Sequence, residues 1–159
     1  MVIIEVLPTD TVIYRQAIES VSHIEAIIQS QDAWTDEAIS KLLEQDSVKL
    51  MIATESADSA EIVGYCLYQV IFEQVEIFRI GTHLDYQRQG IASQLFAHLN
   101  TKLQTSGAES LLLEVRADNI RAIKLYEQQG FNIIHRRKGY YQQPSAPAID
   151  ALIMQRVYS

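Results

Sequence analysis

A carboxylate, an amide and a phenol occur within one strand–helix unit in the last third of the chain. Glu114 lies in the apolar run SLLLEVR, where the two-residue alternation of a strand puts it on one face with Arg116. Asn119 and Tyr126 are seven residues, or two helical turns, apart, so they share one stripe of the helix that follows. The unit therefore offers a base, an amide that can hold a ligand, and an acid.

A second stretch, QRQGIASQLF at residues 87–96, has the features of an anion site. Gly90 and Ala92 stand at the start of an amphipathic helix, where unpaired backbone amides carry a partial positive charge. Arg88 adds a full positive charge, and the small residues allow a phosphate to approach the amides. The spacing is neither G-x-G-x-x-G nor G-x-x-x-x-G-K-[ST], which disfavours dinucleotide and nucleoside-triphosphate sites. Many ordinary helices also begin with glycine.

Other residues have two interpretations each. His83 and His135 could act as bases, but isolated histidines are more often structural or solvated. Trp34 either shapes a pocket or fills the core. No cluster with metal-ligand spacing occurs, so we expect no metal site.

Hydrophobic periodicity predicts eleven elements in the order β-α-α-β-β-β-α-β-α-β-β, a mixed α/β domain over residues 1–159. Strands are predicted at 2–7, 48–54, 61–72, 74–83, 110–116, 131–137 and 148–157, and helices at 11–29, 35–45, 90–106 and between 118 and 130. Thr9 or Asp10 and Asp118 are the predicted N-terminal caps, and Thr35 is predicted to start the second helix. Gly107 and Gly130 end the last two helices, and KGYYQQPSAPA is predicted to be a loop.

Composition places the chain among ordinary globular proteins. It has 159 residues, of which 48% are hydrophobic and 21% charged. Its one cysteine, Cys66, lies in an apolar run and is expected to be a buried, structural thiol, which favours the cytoplasm. We find no run of about 18 apolar residues and no signal-peptide pattern at the N-terminus, so no membrane partner is expected.

Charge is unevenly distributed. Residues 1–78 carry a net charge of −11 and residues 79–138 one of +4, and the remainder balances to give the total of −7. This asymmetry favours an anionic ligand at the basic stretch and a cationic partner at the acidic one, although solvated helix faces would give the same pattern. Without a longer basic run or a recognised motif, nucleic acid is not an expected partner.

These residues together resemble the GNAT superfamily of N-acetyltransferases, whose signature Q/R-x-x-G-x-G/A is filled by Gln87, Gly90 and Ala92. The runs DYQRQGIA, LEVRADN and AIKLYEQQGF are most similar to the bacterial ribosomal-protein-alanine N-acetyltransferases (RimI type). The similarity covers about residues 76–141, with a weaker match at 33–35. It implies a central mixed, mostly antiparallel sheet flanked by helices.

The resemblance also implies a site. Acetyl-CoA would be the cosubstrate, Glu114 the general base and Tyr126 the general acid, with no covalent enzyme intermediate and no metal. The cofactor-binding residues would be Ile80, Gly81, Thr82, Arg88, Gln89, Gly90, Ile91, Ala92, Ser93 and Asn119. Trp34, Tyr140 and Tyr141 would contact the acceptor.

The resemblance implies as acceptor the N-terminal α-amine, on alanine, of a ribosomal or other basic protein. Three departures from the family pattern occur: His83-Leu84 replaces Asp-Pro, Asp32-Ala33-Trp34-Thr35 replaces Phe-Pro-Trp-Ser, and QQPSAPAIDA lacks Gly-His-Glu. The last two lie on the acceptor side and keep the identity of the acceptor open. A small amine, such as a polyamine or an amino sugar, is the alternative acceptor. A CoA-binding sensor without turnover is a third hypothesis, disfavoured by the presence of both Glu114 and Tyr126.

Overall fold

The structure, a computed structural model, describes residues 2–8, 12–29, 32–58 and 61–158. The strands are β1 (Ile3–Val6), β2 (Val48–Thr54), β3 (Ile62–Ile71), β4 (Gln74–Thr82), β5 (Ser110–Arg116), β6 (Asn132–Tyr141) and β7 (Ile149–Val157). The helices are α1 (Val12–Ile28), α2 (Asp36–Leu43), α3 (Ile91–Ser106) and α4 (Ile120–Gln128), with a 3-10 turn at Leu84–Tyr86. The predicted element order is confirmed. The 3-10 turn was not predicted.

The strands form one sheet in the order β1-β2-β3-β4-β5-β7-β6. Within the described part of the chain, β4 and β5 run parallel and the other neighbouring pairs are antiparallel. The sheet is therefore mixed and mostly antiparallel, as expected. The predicted meander of β2, β3 and β4 is confirmed.

Two hydrophobic clusters hold the helices on the sheet. One joins α1 and α2 to β2 and β3, and the other joins α3 to the sheet, with partly buried residues of α4 packed against it. In α3 the buried residues Ile91, Leu95, Leu99 and Leu103 recur every four positions, which gives the helix its apolar face. Cys66 is fully buried in this cluster. Among the described residues, no helix is long and apolar enough to cross a membrane.

A β-bulge in β4 opens the centre of the sheet. Leu67 of β3 pairs with Arg79 and Tyr68 pairs with Ile77, so Phe78 is the extra residue on β4. The parallel pairing of β4 with β5 runs from Gln74 only to Ile77 within the described chain. Beyond that point the two strands separate, and the gap between them lies where the polar strand–helix unit begins.

Two boundaries next to the polar strand–helix unit and the tyrosine pair differ from the sequence-based expectation. Asn119, not Asp118, caps α4, because its Oδ1 accepts a hydrogen bond from the amide of Ala122 at 3.3 Å. The Asp118 carboxylate instead receives two hydrogen bonds from Arg116, at 3.1 and 3.2 Å. Strand β6 continues through Tyr141, so the predicted loop is shorter and residues 138–141 are strand. The predicted caps Thr9 and Asp10 lie outside the described residues.

Candidate active site

The gap between β4 and β5 is the centre of the site. A small cavity of about 50 Å³ lies there, bordered by Ile77, Arg79, Glu114 and Tyr126. A larger groove opens on the α3 side and a second large cavity on the β6 side, and residues of the gap line both. Tyr126 borders the gap and the groove, whereas Glu114 borders the gap and the second cavity. The carboxylate and the phenol therefore stand on either side of one passage.

The groove on the α3 side, of about 660 Å³, collects most of the predicted cofactor residues. Nine of the ten line it: Ile80, Gly81, Thr82, Arg88, Gly90, Ile91, Ala92, Ser93 and Asn119. Gln89 is exposed, and its side chain donates to the carbonyl of Asp85 at 3.5 Å. Arg121 lines the groove as a second cation, and Ile27 and Leu84 present exposed apolar side chains there. The groove thus combines positive charge with apolar surface.

The N-terminus of α3 presents backbone amides without a capping side chain. Gly90 precedes the helix with φ +79°, and no side chain caps the first amides. In contrast, Thr35 caps α2 by accepting from the Ala38 amide at 3.1 Å, and Asn119 caps α4. Because helix-terminal amides need acceptors, an uncapped terminus bordering a groove beside Arg88 fits a bound phosphate.

Two side-chain contacts hold the start of α3 and the loop before it in place. The Gln87 side chain donates to the carbonyl of Thr82 at 3.3 Å, which ties the loop to the end of β4. Gln129, directly after α4, donates to the Ser93 hydroxyl at 3.2 Å, which ties the end of α4 to α3. Gly81 faces the Tyr65 hydroxyl, and a Cβ at this position would lie 2.5 Å from that oxygen. A larger residue at 81 would therefore have to displace the side chains of Tyr65 and Ile28.

The Glu114 carboxylate is held by two side chains of β6. Tyr141 donates its hydroxyl to Oε2 at 3.0 Å, and Arg137 lies 3.6 Å from Oε1. Burial, followed by the charge of Glu114, raises the pKa of Tyr141 above its usual range, so the phenol stays protonated and keeps donating. The Glu114 side chain is still 30% exposed, towards the cavity.

Tyr126 lies in an aromatic cluster. Its ring centroid is 6.0 Å from that of Phe96 and 6.0 Å from that of Phe131. Burial raises the pKa of Tyr126 to about 12, with a smaller contribution from Cys66. The hydroxyl is therefore protonated at neutral pH, and its ring is fixed by packing.

The cavity on the β6 side, of about 590 Å³, contains the three aromatic residues predicted to contact an acceptor. Trp34 packs against Phe78 of the β4 bulge, and the rings of Tyr140 and Tyr141 meet edge to face at 5.2 Å. Trp34 packs against the α1–α2 core cluster and also lines this cavity.

Asp150 shapes the strand that carries the tyrosines. Its Oδ1 accepts from the amide of Gly139 at 2.9 Å, and its Oδ2 pairs with Arg136 at 2.8 Å. Gly139 has φ +62°, a left-handed backbone conformation that residues with a side chain rarely adopt. The hydrogen bond from Gly139 and the pair with Arg136 lower the pKa of Asp150. This irregularity in β6 places Tyr140 and Tyr141 at the cavity.

Several residues at the cavity were missed by sequence reasoning: Asp32, Glu76, Phe78, Arg79 and Arg137. Burial raises the pKa of Glu76, and the neighbouring charge of Glu114 raises it further. Cross-strand pairing of β4 with β5 puts Glu76 opposite Leu112, two residues before Glu114. Only the β4–β5 register, which the sequence does not reveal, brings the two carboxylates together.

The two histidines lie elsewhere. His83 accepts a hydrogen bond from the Asp85 amide at 3.1 Å and lines a separate cavity with His23 and Glu61. His135 is exposed on β6.

Burial raises the pKa of the Cys66 thiol, which makes it a poor nucleophile. Within the described residues, no group of three or more metal-ligating side chains is placed to hold an ion.

The chain is similar to known proteins both in sequence and in fold. The model of the acetyltransferase (GNAT) family matches residues 16–131. The ribosomal protein bS18-alanine N-acetyltransferase of Escherichia coli K12 is 38% identical over 96 residues, which cover 60% of this chain and 64% of that protein. The matched region thus spans just under two thirds of the length of this curated relative.

Solved structures share the fold along the whole chain. The crystal structure of the ribosomal-protein-S18-alanine N-acetyltransferase from Escherichia coli has a TM-score of 0.84 and 30% identity, and the match covers 100% of this chain and 95% of that one. A GNAT family acetyltransferase from Elizabethkingia anophelis with acetyl-CoA bound has a TM-score of 0.74 at 20% identity, covering 99% and 98%.

Proposed function

Because the chain belongs to the acetyltransferase (GNAT) family, we propose that it transfers the acetyl group of acetyl-CoA directly to an amine, and that the amine is the N-terminal α-amine of a basic protein. The observation that carries the proposal is the gap between β4 and β5. There a cationic groove and an acceptor cavity meet, with Tyr126 on one side and Glu114 on the other. Residues 1–159 are proposed to form a single acetyltransferase domain.

The groove fits acetyl-CoA chemically. The uncapped amides at the start of α3, with Arg88, would hold the pyrophosphate, and Gly90 leaves open space where a side chain would stand. The edge of β4 beyond Ile77, released from β5, offers backbone groups at residues 80–82 to the pantetheine amides. Asn119 uses its Oδ1 to cap α4, which leaves the Nδ2 group for the cofactor. Acetyl-CoA supplies an already activated acyl group, so the protein needs no nucleophile of its own.

Glu114 acts as the base in this proposal. A peptide α-amine has a pKa of about 7.7–8.0, so a substantial minority is neutral near pH 7, whereas lysine, at about 10.4, is almost fully charged. Attack requires the neutral amine, and Glu114 takes the ammonium proton from the charged fraction so that the nitrogen can attack. Tyr141 and Arg137 fix the carboxylate that receives it.

Tyr126 serves the departing sulfur. A simple thiol has a pKa of about 8.5, more than three units below the value of about 12 for this phenol. The phenol therefore stabilises the developing thiolate chiefly by donating a hydrogen bond. The ring packing against Phe96 and Phe131 keeps the hydroxyl in one position while charge develops.

A basic protein terminus fits the charge of the acceptor cavity. Its lining carries three carboxylates, Asp32, Glu76 and Glu114, against two arginines, Arg79 and Arg137. Arg137 pairs with Glu114, and Arg79 pairs with Asp32 and with Glu25 behind the wall. Glu76 therefore adds negative charge that favours a cationic partner. The identity to bS18-alanine N-acetyltransferase supports a ribosomal protein with N-terminal alanine, in the cytoplasm, as that partner.

We expect Glu114→Gln to lower kcat/KM by about 10²-fold near pH 7, within the range for general bases. The deficit should shrink as the pH rises above 8, because the α-amine then loses its proton without help. Initial rates between pH 6.5 and 9.5, with saturating acetyl-CoA, measure both effects.

Glu76→Gln is the matched control, because it removes a second carboxylate from the same cavity wall. This variant should raise KM for a basic peptide, because the cavity loses negative charge. It should not show the pH-dependent loss of kcat/KM that is expected for Glu114→Gln. If Glu76→Gln shows the pH-dependent deficit and Glu114→Gln does not, Glu76 is the base and the assignment above is wrong.

The acceptor is tested with peptides that differ only in their amines. We expect acetylation, located by mass spectrometry, on a basic peptide with a free N-terminal alanine and blocked lysines, and none when the α-amine is blocked and lysine is free. KM for the basic peptide should rise with salt, because exposed charge attraction is screened within about 10 Å at 0.1 M. Spermidine and an aminoglycoside run beside the peptides. If either outcompetes every peptide, the enzyme acts on a small amine instead.

A further inference from the structure

A buried carboxylate lies directly behind the acceptor cavity. Glu25 of α1 is 0% exposed. Its Oε2 accepts a hydrogen bond from the Tyr65 hydroxyl at 2.7 Å, and its Oε1 lies 3.0 Å from Nε of Arg79. Burial and the charge of Glu25 raise the pKa of Tyr65, so this phenol is neutral and donates. Since a buried charge must be paired, the Glu25 carboxylate keeps the Arg79 guanidinium beside it as an ion pair, in which Nε of Arg79 is not aligned for a hydrogen bond.

The other end of the same guanidinium holds the segment between α1 and α2. Nη2 of Arg79 donates to the backbone carbonyl of Asp32 and lies 3.8 Å from the carboxylate of that residue. The guanidinium carbon lies 5.0 Å from the centroid of the Trp34 ring. The amide of Trp34 also reaches Oε1 of Glu25 at 3.5 Å. The Glu25–Arg79 pair therefore anchors residues 32–34 through several contacts.

This anchored segment is a wall of the proposed acceptor site. Asp32, Trp34 and Arg79 line the acceptor cavity, and Asp32 and Arg79 also border the gap with Glu114 and Tyr126. The charge of Arg79 is matched by Glu25 and Asp32, so its role at this wall is to hold the segment and not to repel a cationic acceptor.

We propose that Arg79 is a positioning residue for the acceptor. Paired with buried Glu25, it holds residues 32–34 in place. The space between this segment, Glu114 and the β6 tyrosines then has the width that an extended N-terminal peptide needs. The proposal deepens the function given above and rests on it. It requires a planar group that pairs, donates and stacks at once, which arginine provides and lysine does not.

Arg79→Lys tests this requirement. The lysine ammonium can still pair with Glu25, so the buried carboxylate keeps a counterion. It cannot at the same time reach the Asp32 carbonyl and stack on Trp34. We expect KM for the acceptor peptide to rise about tenfold, the loss typical of one charge-assisted hydrogen bond. We expect kcat to change less than about threefold and the Kd of acetyl-CoA, by calorimetry, to stay the same.

Trp34 reports the position of the segment directly, because it is the only tryptophan in the sequence. In Arg79→Lys without substrate, acrylamide should quench its fluorescence more strongly than in the unmodified protein. Arg156→Lys is the matched control, because Arg156 also donates to a backbone carbonyl, that of Gln129, and stacks on Tyr158 away from the acceptor cavity. It should leave both Trp34 quenching and acceptor KM unchanged.

The outcomes separate this proposal from the function it rests on. Unchanged Trp34 quenching in Arg79→Lys, or equal loss of acetyl-CoA and acceptor binding, overturns the positioning role. If no peptide is acetylated by any variant, the proposed function fails, and the quenching measurement still decides whether Arg79 holds the segment. Should Arg79→Lys not fold, Asp32→Asn weakens the same anchor at the surface, and it must increase Trp34 quenching for the proposal to stand.

Discussion

Gly90→Glu should weaken acetyl-CoA binding by at least about 100-fold while the protein stays folded. Gly90 lies at the start of α3 with nothing within 4 Å of the position its Cβ would take, so the new side chain has room at the groove. Its carboxylate would stand where the pyrophosphate is proposed to bind. Two unit charges about 5 Å apart repel by about 3 kcal/mol at an effective dielectric constant near 20, and this corresponds to more than 100-fold in affinity. Calorimetry with acetyl-CoA, in the presence of chelator, measures the loss.

Gly107→Glu is the control for backbone strain. Gly107 ends the same helix, has φ +86°, and likewise has open space around it. Both variants force a non-glycine residue into a left-handed conformation, at a cost of about 1–2 kcal/mol in stability. They differ in that Gly107 lies at the far end of α3 from the groove. Near-normal acetyl-CoA affinity in Gly90→Glu, or equal loss in both variants, would mean that the N-terminus of α3 does not hold the anion.

Local signals account for the parts of the fold that sequence reasoning predicted. Thr35 before an apolar-periodic run, and Gly107 after one, act through atoms within a few residues, so their roles follow from the sequence. The choice between Asp118 and Asn119 as the cap of α4 depended instead on Arg116, whose side chain holds the Asp118 carboxylate. Adjacent short polar residues cannot be separated without knowing such a contact.

The acceptor side could not be predicted in the same way. The β4 bulge at Phe78 and the register that places Glu76 near Glu114 depend on which strands pair, which no local pattern encodes. One signal for Glu25 was present: it continues the buried stripe of α1 that includes Ala17, Val21 and Ile24. A carboxylate on such a stripe must be buried and paired, and this predicts a partner although it does not identify Arg79.

The chemistry of Tyr126 gives the second large effect: Tyr126→Phe should lower kcat by about 10²-fold or more, with little change in the Kd of acetyl-CoA. The ring stays in contact with Phe96 and Phe131, so packing survives and only the hydroxyl is lost. General acids contribute about 10²–10⁴-fold. A phenol with a pKa of about 12 that donates a hydrogen bond without full transfer belongs near the lower limit. Because burial raises this pKa, the unmodified enzyme should show no loss of kcat from Tyr126 ionisation up to about pH 10.

A pre-steady-state burst separates the hydroxyl's chemical role from slow product release. Tyr158→Phe is the matched control, because Tyr158 also loses a hydrogen bond, to Asn100, at a position away from the groove. It should keep kcat within about twofold. If Tyr126→Phe retains full kcat while chemistry limits the rate, the phenol is only part of the core, and the stabilisation of the departing sulfur must come from the backbone amides at the gap.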